Sequence, residues 1–289
     1  MKLSSSLQPL FCPPCPWSDV IPQLMAEQLM GDAQLPLIRA RYEQMREGYD
    51  ASPEEWRERL FTDALHPYND YFKVATVMLA CKHEAFQPEF ERRKAAAAGG
   101  AIGLDLPTWF LYAPEQPRVM LIAQDPLRKA EDYGDCYEVI LSTPFGLHEQ
   151  KHRNTHGRKA LEITKNLLKR GINVYWTDVR KFYLHDADTS WAFSEQHQAR
   201  YAQLLAAEID AVKPVACILL GKEAERYFQL LKTRMPDRTT PPELRLPHLS
   251  WNALGAVKKR YEKQLAGQKA TAEKIGELYA EEITSFIRP

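Results

Sequence analysis

Three polar side chains follow short apolar runs in the sequence, and their types could do chemistry together. Asp125 comes two residues after VMLIA, Asp178 directly follows INVYWT, and His248 directly follows LRLP. Because Asp125 precedes Pro126, its backbone is restricted to extended conformations. A carboxylate can stabilise a developing cation or activate a water molecule, and a histidine can hydrogen-bond to an oxygen on which negative charge builds. An Asp-Pro pair is also an ordinary loop start, and that alternative stays open.

The elements that must position these side chains lie between residue 106 and the C terminus. Short apolar runs alternate there with amphipathic segments, which predicts an α/β fold: a three-layer α/β/α sandwich around a central four-stranded, mostly parallel sheet. The carboxyl ends of parallel strands meet at one edge of a sheet, where ligands bind. We therefore expect the two carboxylates and the histidine to converge there. The predicted strands are 119–123, 172–177, 215–220 and 244–247, and the predicted helices are 156–170, 194–212, 222–233 and 251–266.

The N-terminal third has a different pattern and predicts helices over residues 17–98. Ser52-Pro53-Glu54-Glu55 has the residue types of a helix start, and the apolar positions between Tyr68 and Leu79 suggest a further helix. The run KAAAAGGAIG at 94–103 ends this part in glycines. We therefore expect an N-terminal helical extension over residues 1–105, packed on an α/β domain over residues 106–289.

The overall composition limits the classes of protein that the chain can belong to. It has 289 residues and 38 basic against 38 acidic side chains, so its zero net charge gives no global attraction to nucleic acid but permits a local basic face. It contains no apolar run of about 18 residues, as a membrane span would need. The start, MKLSSSLQPLFCPPCPW, is too weakly apolar for a signal peptide. We expect a cytoplasmic monomer with no membrane partner.

The five cysteines are too few and too scattered to form a disulfide framework. Cys12 and Cys15 have the spacing of metal ligands, and Cys81 with His83 could complete a tetrahedral set. The alternative is a plain proline-rich turn. We expect no bound metal and no cofactor.

Four short motifs, in order along the chain, carry a resemblance to a known family. AQDPLR at 123–128 resembles GQDPYH, and LPHLS at 246–250 resembles a second motif, HPS. EDYG at 131–134 with PFG at 144–146 resembles ED..G..PFVG, and WTDVRK at 176–181 resembles ITNVVK. Over about residues 111–266 the chain is thus similar to the uracil-DNA glycosylase superfamily. It lacks the cysteine pattern of the iron-sulfur branch, so we expect no cluster.

The resemblance implies a monofunctional DNA glycosylase that flips a base out of double- or single-stranded DNA and hydrolyses its N-glycosidic bond. Asp125 would stabilise the cationic sugar and activate water, while His248 would hydrogen-bond to the departing base. Phe145 would stack on that base, although a core phenylalanine is the alternative. The other implied positions are Gln124 for the substrate and Arg128, Lys151, Arg153, Ser250, Trp251, Asn252 and Lys258 for DNA.

For some of these residues, local sequence features also suggest contact with DNA. The run KHRNTHGRK at 151–159 has four basic residues and no acid, which suits phosphate contacts, although a solvated helix start would show the same pattern. Lys258, Lys259 and Arg260 lie on the helix after the second motif. Trp251 stands where the family inserts an apolar wedge into the base stack.

Two departures from the family pattern concern the choice of base. Leu127 replaces a tyrosine that excludes substituents at pyrimidine carbon 5, and Asp178 replaces an asparagine that pairs with uracil. An ionised carboxylate only accepts hydrogen bonds, so it suits the amino group of cytosine. The pair therefore favours a C5-modified cytosine, such as the glucosylated hydroxymethylcytosine of some phage genomes, and a bacterial anti-phage role. Asp178 being protonated or structural, with Thr177 at the key position, remains an alternative.

Three other functions remain open. Uracil repair is the nearest alternative to modified-cytosine excision. A non-catalytic DNA-binding protein on the same fold would have no need of both Asp125 and His248. A nucleotide-binding α/β protein is disfavoured because Gly221-Lys222 lacks the rest of a phosphate loop.

Overall fold

The computed structural model describes residues 12, 15–47, 72–75, 102–124, 138–148, 155–184 and 195–288. Several predicted positions lie outside these described residues, and their predictions stand as sequence-based expectations. They are the helix start at 52–55, Cys81, His83, Asp125, Leu127, Arg128, Lys151 and Arg153.

A central five-stranded sheet organises the predicted α/β domain, in the order β3-β6-β4-β8-β9. Strands β4, β6, β8 and β9 run parallel to one another and correspond to the four strands predicted from the sequence. Strand β3 adds an antiparallel edge next to β6 that the sequence did not predict. The bounds are β3 Thr108–Phe110, β4 Arg118–Ala123, β6 Asn173–Asp178, β8 Ala216–Leu220 and β9 Glu243–Leu246.

Helices cover both faces of this sheet, which confirms the three-layer architecture. Side chains alternate between the two faces along a strand. On β6, Thr177 contacts Glu208 of one helix, whereas its neighbour Trp176 contacts Thr164 of another. The helices therefore lie on opposite faces. They are α3, Arg158–Lys169, and α4, Glu195–Val212, and a further helix, α5, Lys222–Arg234, packs beside α4.

A second, four-stranded sheet corrects part of the N-terminal prediction. Its order is β1-β5-β2-β7, with β1 Phe72–Ala75, β2 Ile102–Asp105, β5 Glu138–Ser142 and β7 Phe182–Leu184. The helix predicted across 68–79 is therefore wrong at β1. A short apolar run fits a strand as well as a helix, and here pairing with β5 decides the outcome. The sheet also joins strands from both sides of residue 105.

The helices described near the N terminus pack on the central sheet. They are α1, Val20–Met25, a π-helical turn, Ala26–Met30, a 3-10 turn, Asp32–Gln34, and α2, Leu35–Glu47. The backbone N–H of Cys12 donates to the carbonyl of Trp109 at 2.8 Å, so Cys12 lies against the edge strand β3. The Tyr42 ring of α2 packs on Trp109 with a centroid distance of 5.3 Å.

Directly after β9 the chain forms a 3-10 turn and two short helices in place of the single helix predicted over 251–266. A 3-10 turn, Trp251–Ala253, leads into α6, Leu254–Arg260, and α7, Glu262–Leu265. The last helix, α8, Ala272–Ile287, was not predicted. It packs so closely on α3 that a Cβ on Gly276 would lie 2.4 Å from Glu162 Cβ. No helix within the described ranges is long and apolar enough to cross a membrane.

An ion pair joins α6 to α8. The Arg260 guanidinium contacts the Glu282 carboxylate, and the Tyr261 hydroxyl donates to Glu282 Oε2 at 2.7 Å. Partial burial raises the pKa of Glu282, but the hydrogen bonds from Arg260 and Tyr261 outweigh it and hold that pKa below its ordinary value. The pair thus favours the charged carboxylate in the folded protein.

Candidate active site

The ends of β4 and β6 lie side by side, as the parallel topology requires. Ala123 is the register partner of Asp178. The pairing continues beyond the strands, because Val179 N–H donates to the Ala123 carbonyl and Arg180 N–H to the Gln124 carbonyl, each at 3.0 Å. Gln124 is thus held next to the turn after β6.

The alternation of side chains on β6 separates Asp178 from Thr177. The Thr177 hydroxyl donates to Glu208 Oε2 at 2.6 Å on the face covered by α4. Trp176 and Asp178 belong to the opposite face, where the Trp176 ring meets Phe145 edge-on at 5.5 Å. This geometry disfavours the alternative in which Thr177 takes the base-contacting position. Asp178 is only 2% exposed.

Phe145 lies in a strained turn between Trp176 and His248. Its φ of 58° places a non-glycine residue in the left-handed region, inside the 3-10 turn Pro144–Gly146. Such a conformation costs of order 1–3 kcal/mol and clusters at functional sites. The Phe145 ring is partly buried, and its centroid lies 5.8 Å from that of His248. The residue proposed to stack on the base thus neighbours the residue proposed to bind its oxygen.

A backbone contact of His248 favours one tautomer of its neutral ring. The backbone N–H of Ser250 donates to His248 Nδ1 at 3.1 Å. When the imidazole is neutral, an accepting Nδ1 requires that Nε2 carry the proton. His248 then offers an Nε2–H donor, which is what an oxygen with developing negative charge needs.

Two side chains hold the backbone on either side of His248. The Tyr279 hydroxyl of α8 donates to the Pro247 carbonyl at 2.9 Å, and the Lys159 ammonium of α3 donates to the Leu249 carbonyl at 2.7 Å. Burial lowers the pKa of Lys159. Both donors come from elements distant in the sequence, which is why sequence reasoning missed them as supports of this loop.

A buried ion pair supports the turn after β6. Lys181 Nζ lies 2.6 Å from Glu208 Oε1, and both side chains are almost fully buried. Lys181 also donates to the Asp178 carbonyl at 2.5 Å and contacts the Thr177 hydroxyl. The sequence contained one signal for this pair, a lone glutamate within the otherwise apolar segment LLAAEI.

The residues proposed for DNA contact occupy the loop and helix after His248. Trp251 is 80% exposed, an unusual exposure for a large apolar side chain, and Ser250 immediately precedes it. Asn252 and Lys258 are also exposed. In the run 151–159, by contrast, Lys159 points to the Leu249 carbonyl and Arg158 forms an ion pair with Glu273 at 2.9 Å.

The described part of the chain contains no group of three or more metal-ligating side chains. Cys12 is buried, and its Sγ lies 3.1 Å from Thr108 Oγ1. The thiol of Cys12 therefore packs against the edge strand β3.

A comparison with curated proteins found no match. The family model of the Uracil DNA glycosylase superfamily matches residues 110–266, which is more than half of the 289 residues. The match runs from the end of β3 to the end of α7 and includes Asp125 and His248, but neither α2 nor α8. On this match, the chain belongs to the Uracil DNA glycosylase superfamily.

Proposed function

We propose that this protein is a monofunctional DNA glycosylase that releases a pyrimidine base from DNA and leaves an abasic site. The observation that carries the proposal is the hydrogen bond accepted by His248 together with the position of its ring. Its Nδ1 is occupied by the Ser250 N–H, and its ring lies beside that of Phe145. A hydrogen-bond donor next to an aromatic face suits a flipped base that stacks on the ring and accumulates negative charge.

In the proposed reaction, the bond between the base nitrogen and sugar C1′ breaks and its electron pair leaves with the base. His248 Nε2–H donates to the base oxygen on which that charge collects. The Asp125 carboxylate stabilises the cationic sugar and takes a proton from the attacking water, whose oxygen forms the new bond to C1′. The base then takes a proton from solvent, and the proton held by Asp125 returns to solvent.

DNA would bind along the surface after β9. Trp251 is the proposed wedge, because its exposed ring can enter the space that a flipped base leaves. Ser250, Asn252 and Lys258 would contact the phosphates beside it, as would Arg128, Lys151 and Arg153 of the matched segment. Such contacts give sequence-independent affinity that weakens with salt.

The favoured substrate is a C5-modified cytosine. Asp178 belongs to the same face of β6 as Trp176, which contacts Phe145. Because the Asp178 carboxylate is buried, a base placed against it must present a hydrogen-bond donor. An amino group satisfies such an acceptor, whereas the uracil O4 would face it with a second acceptor. Leu127 would leave room at carbon 5. This specificity fits defence against phages whose DNA contains glucosylated hydroxymethylcytosine.

The first experiment tests glycosylase activity itself. Defined oligonucleotides carrying uracil, cytosine, hydroxymethylcytosine or its glucosylated form are incubated with the protein under single-turnover conditions. We expect base release, with strands that stay intact until alkali cleaves the abasic sites. The matched control is Asp125→Asn, which should keep the fold and DNA binding but lose base release by several orders of magnitude. Absence of release from every substrate, or normal release by the variant, would refute the proposal.

The second experiment tests the choice of base. Asp178→Asn should shift preference toward uracil, because an amide can donate to O4. Leu127→Tyr should suppress release of bulky C5-substituted bases more than of unsubstituted ones. A mismatched buried hydrogen bond costs about 1–3 kcal/mol, so each preference should change by about ten- to a hundredfold. If the wild type releases uracil efficiently and ignores every modified cytosine, uracil repair replaces the defence role.

A further inference from the structure

The buried guanidinium of Arg41 belongs to a helix outside the family-matched segment. Arg41 lies on α2 and is 1% exposed, among the largest fully buried side chains of the described residues. Its Nη2 contacts His148 Nε2, 107 residues further along the chain. Removing a guanidinium from water is unfavourable, and apolar side chains of similar size often stabilise a core as well. Stability alone therefore does not explain a buried arginine here.

His148 connects Arg41 to the turn that carries Phe145. A guanidinium only donates hydrogen bonds, so His148 Nε2 must accept and Nδ1 must carry the proton. His148 Nδ1 lies 2.8 Å from Thr143 Oγ1 and donates to it. Thr143 immediately precedes the 3-10 turn and His148 lies two residues after it. The imidazole thus braces both ends of the turn around Phe145.

This turn needs a brace because Phe145 is held in the left-handed region. Within the turn, the Gly146 N–H donates to the Thr143 carbonyl at 2.7 Å. Release of the turn would let Phe145 relax toward ordinary φ values and would move its ring away from His248. Contacts from the surroundings must therefore offset the strain of this conformation.

The position of Arg41 is set by contacts that do not involve the turn. The hydroxyl of the adjacent Tyr42 donates to the Pro107 carbonyl at 2.8 Å, and its ring packs on Trp109 of β3. Helix α2 is thus anchored to the central sheet, and Arg41 reaches from this anchor to His148.

We propose that Arg41 is a positioning residue that acts through His148 to set the conformation of Phe145. The N-terminal helix α2 would then help to position the ring that is proposed to stack on the base. The structural link stands on the contacts above, whereas its effect on base release rests on the proposed function.

The link is measured without any assay of activity. 4-Fluorophenylalanine is placed at position 145 of the full chain, and its ¹⁹F resonance is recorded for Arg41→Gln. The matched control is Arg39→Gln, which changes an exposed arginine on the same helix. We expect Arg41→Gln to shift or broaden the resonance and Arg39→Gln to leave it unchanged. An unchanged resonance in a folded Arg41→Gln protein would overturn the proposal.

Two substitutions of His148 repeat the test if Arg41→Gln fails to fold. In His148→Asn, the shorter side chain places its amide NH₂ near the former Nδ1, where it can donate to Thr143, but it does not reach Arg41. In His148→Gln, the longer side chain places its amide oxygen near the former Nε2, where it can accept from Arg41, but it leaves Thr143 without a donor. Because the proposal needs both halves of the link, each variant should alter the fluorine signal. If either variant left the fluorine resonance unchanged, the proposal would be overturned.

The effect on base release is tested with a double-mutant cycle. If Arg41 acts through Phe145, Arg41→Gln should slow single-turnover release by about ten- to a hundredfold, the scale of a misplaced contact group. In a Phe145→Ala background the same change should cost less than about twofold, because the ring that it positions is absent. Equal losses in both backgrounds would show a general structural effect and overturn the positioning role. If the wild type releases no base, the proposed function fails, and the fluorine signal alone decides the link.

Discussion

Replacing Gly221 with alanine should displace His248 and slow base release without unfolding the protein. Gly221 lies between β8 and α5, and its N–H donates to the Leu246 carbonyl at 2.9 Å. A Cβ built on Gly221 would lie 3.0 Å from His248 Cβ, closer than side chains normally approach. Alanine can therefore fit only if the His248 backbone or ring moves by a few tenths of an ångström.

The expected magnitudes follow from this geometry. Gly221 has a φ of 87° and a ψ of 173°, a conformation that essentially only glycine adopts, and a non-glycine residue held there costs of order 1–3 kcal/mol. Complete loss of one donor to a developing anion costs roughly 10²–10³ in rate. A shift of a few tenths of an ångström weakens the hydrogen bond from His248 without removing it. We therefore expect single-turnover release to fall about tenfold, which corresponds to about 1.4 kcal/mol.

The chain offers a matched control at Gly267. This glycine has a similar φ of 81°, but nothing lies within 4 Å of its built Cβ. Gly267→Ala should therefore lose stability through backbone strain alone in thermal or denaturant unfolding, with an unchanged rate of base release. The difference in rate between the two variants isolates the contact with His248. Equal rates for Gly221→Ala and wild type would refute the claim that this glycine leaves room for the histidine.

Three further changes test the site and its supports. His248→Ala should lower single-turnover release by about 10²–10³, and an unchanged rate would exclude its role as a donor. Lys181→Met should lower the free energy of unfolding by about 3–5 kcal/mol because it leaves the Glu208 carboxylate buried without a counter-charge, and a second change, Glu208→Leu, should restore much of that loss in denaturant titrations. Glu282 has a lowered pKa in the folded protein, so its stabilising effect is present above its ordinary pKa and is lost as pH falls through the folded value. Glu282→Gln should therefore destabilise the protein at neutral pH, and its deficit against wild type should shrink below roughly pH 4 in unfolding experiments.

Strands β4, β6 and β8 were predictable because each is a largely apolar run with charged or turn-forming neighbours. The run 119–123, for example, is buried on both faces and becomes the centre of the sheet. The edge strand Thr108–Phe110 has only three residues, too few for a period to show. At Phe72–Ala75 the apolar positions were interpreted as one face of a helix, whereas the segment forms a strand. Its structure depends on a partner strand more than sixty residues away.

The site was predictable to the extent that its residues follow strands. Asp178 and His248 could be located because parallel strands bring their carboxyl ends together. The contacts of Arg41 with His148 and of Tyr279 with Pro247 had no such signal. They join residues far apart in sequence, and the donors lie on helices whose docking follows no local pattern.

The two edges of the central sheet are protected from other chains in different ways. On β9, Glu243 and Arg245 place charges along the exposed strand, which discourages pairing with a second molecule. On β3, the outward carbonyl of Trp109 is already occupied by the N–H of Cys12. Cleavage of the chain shortly after Cys12 would open that edge, although every residue of the family-matched segment would remain. Cys12 thus covers part of this edge, and we expect its loss to favour aggregation through β3 rather than to change the chemistry of the site.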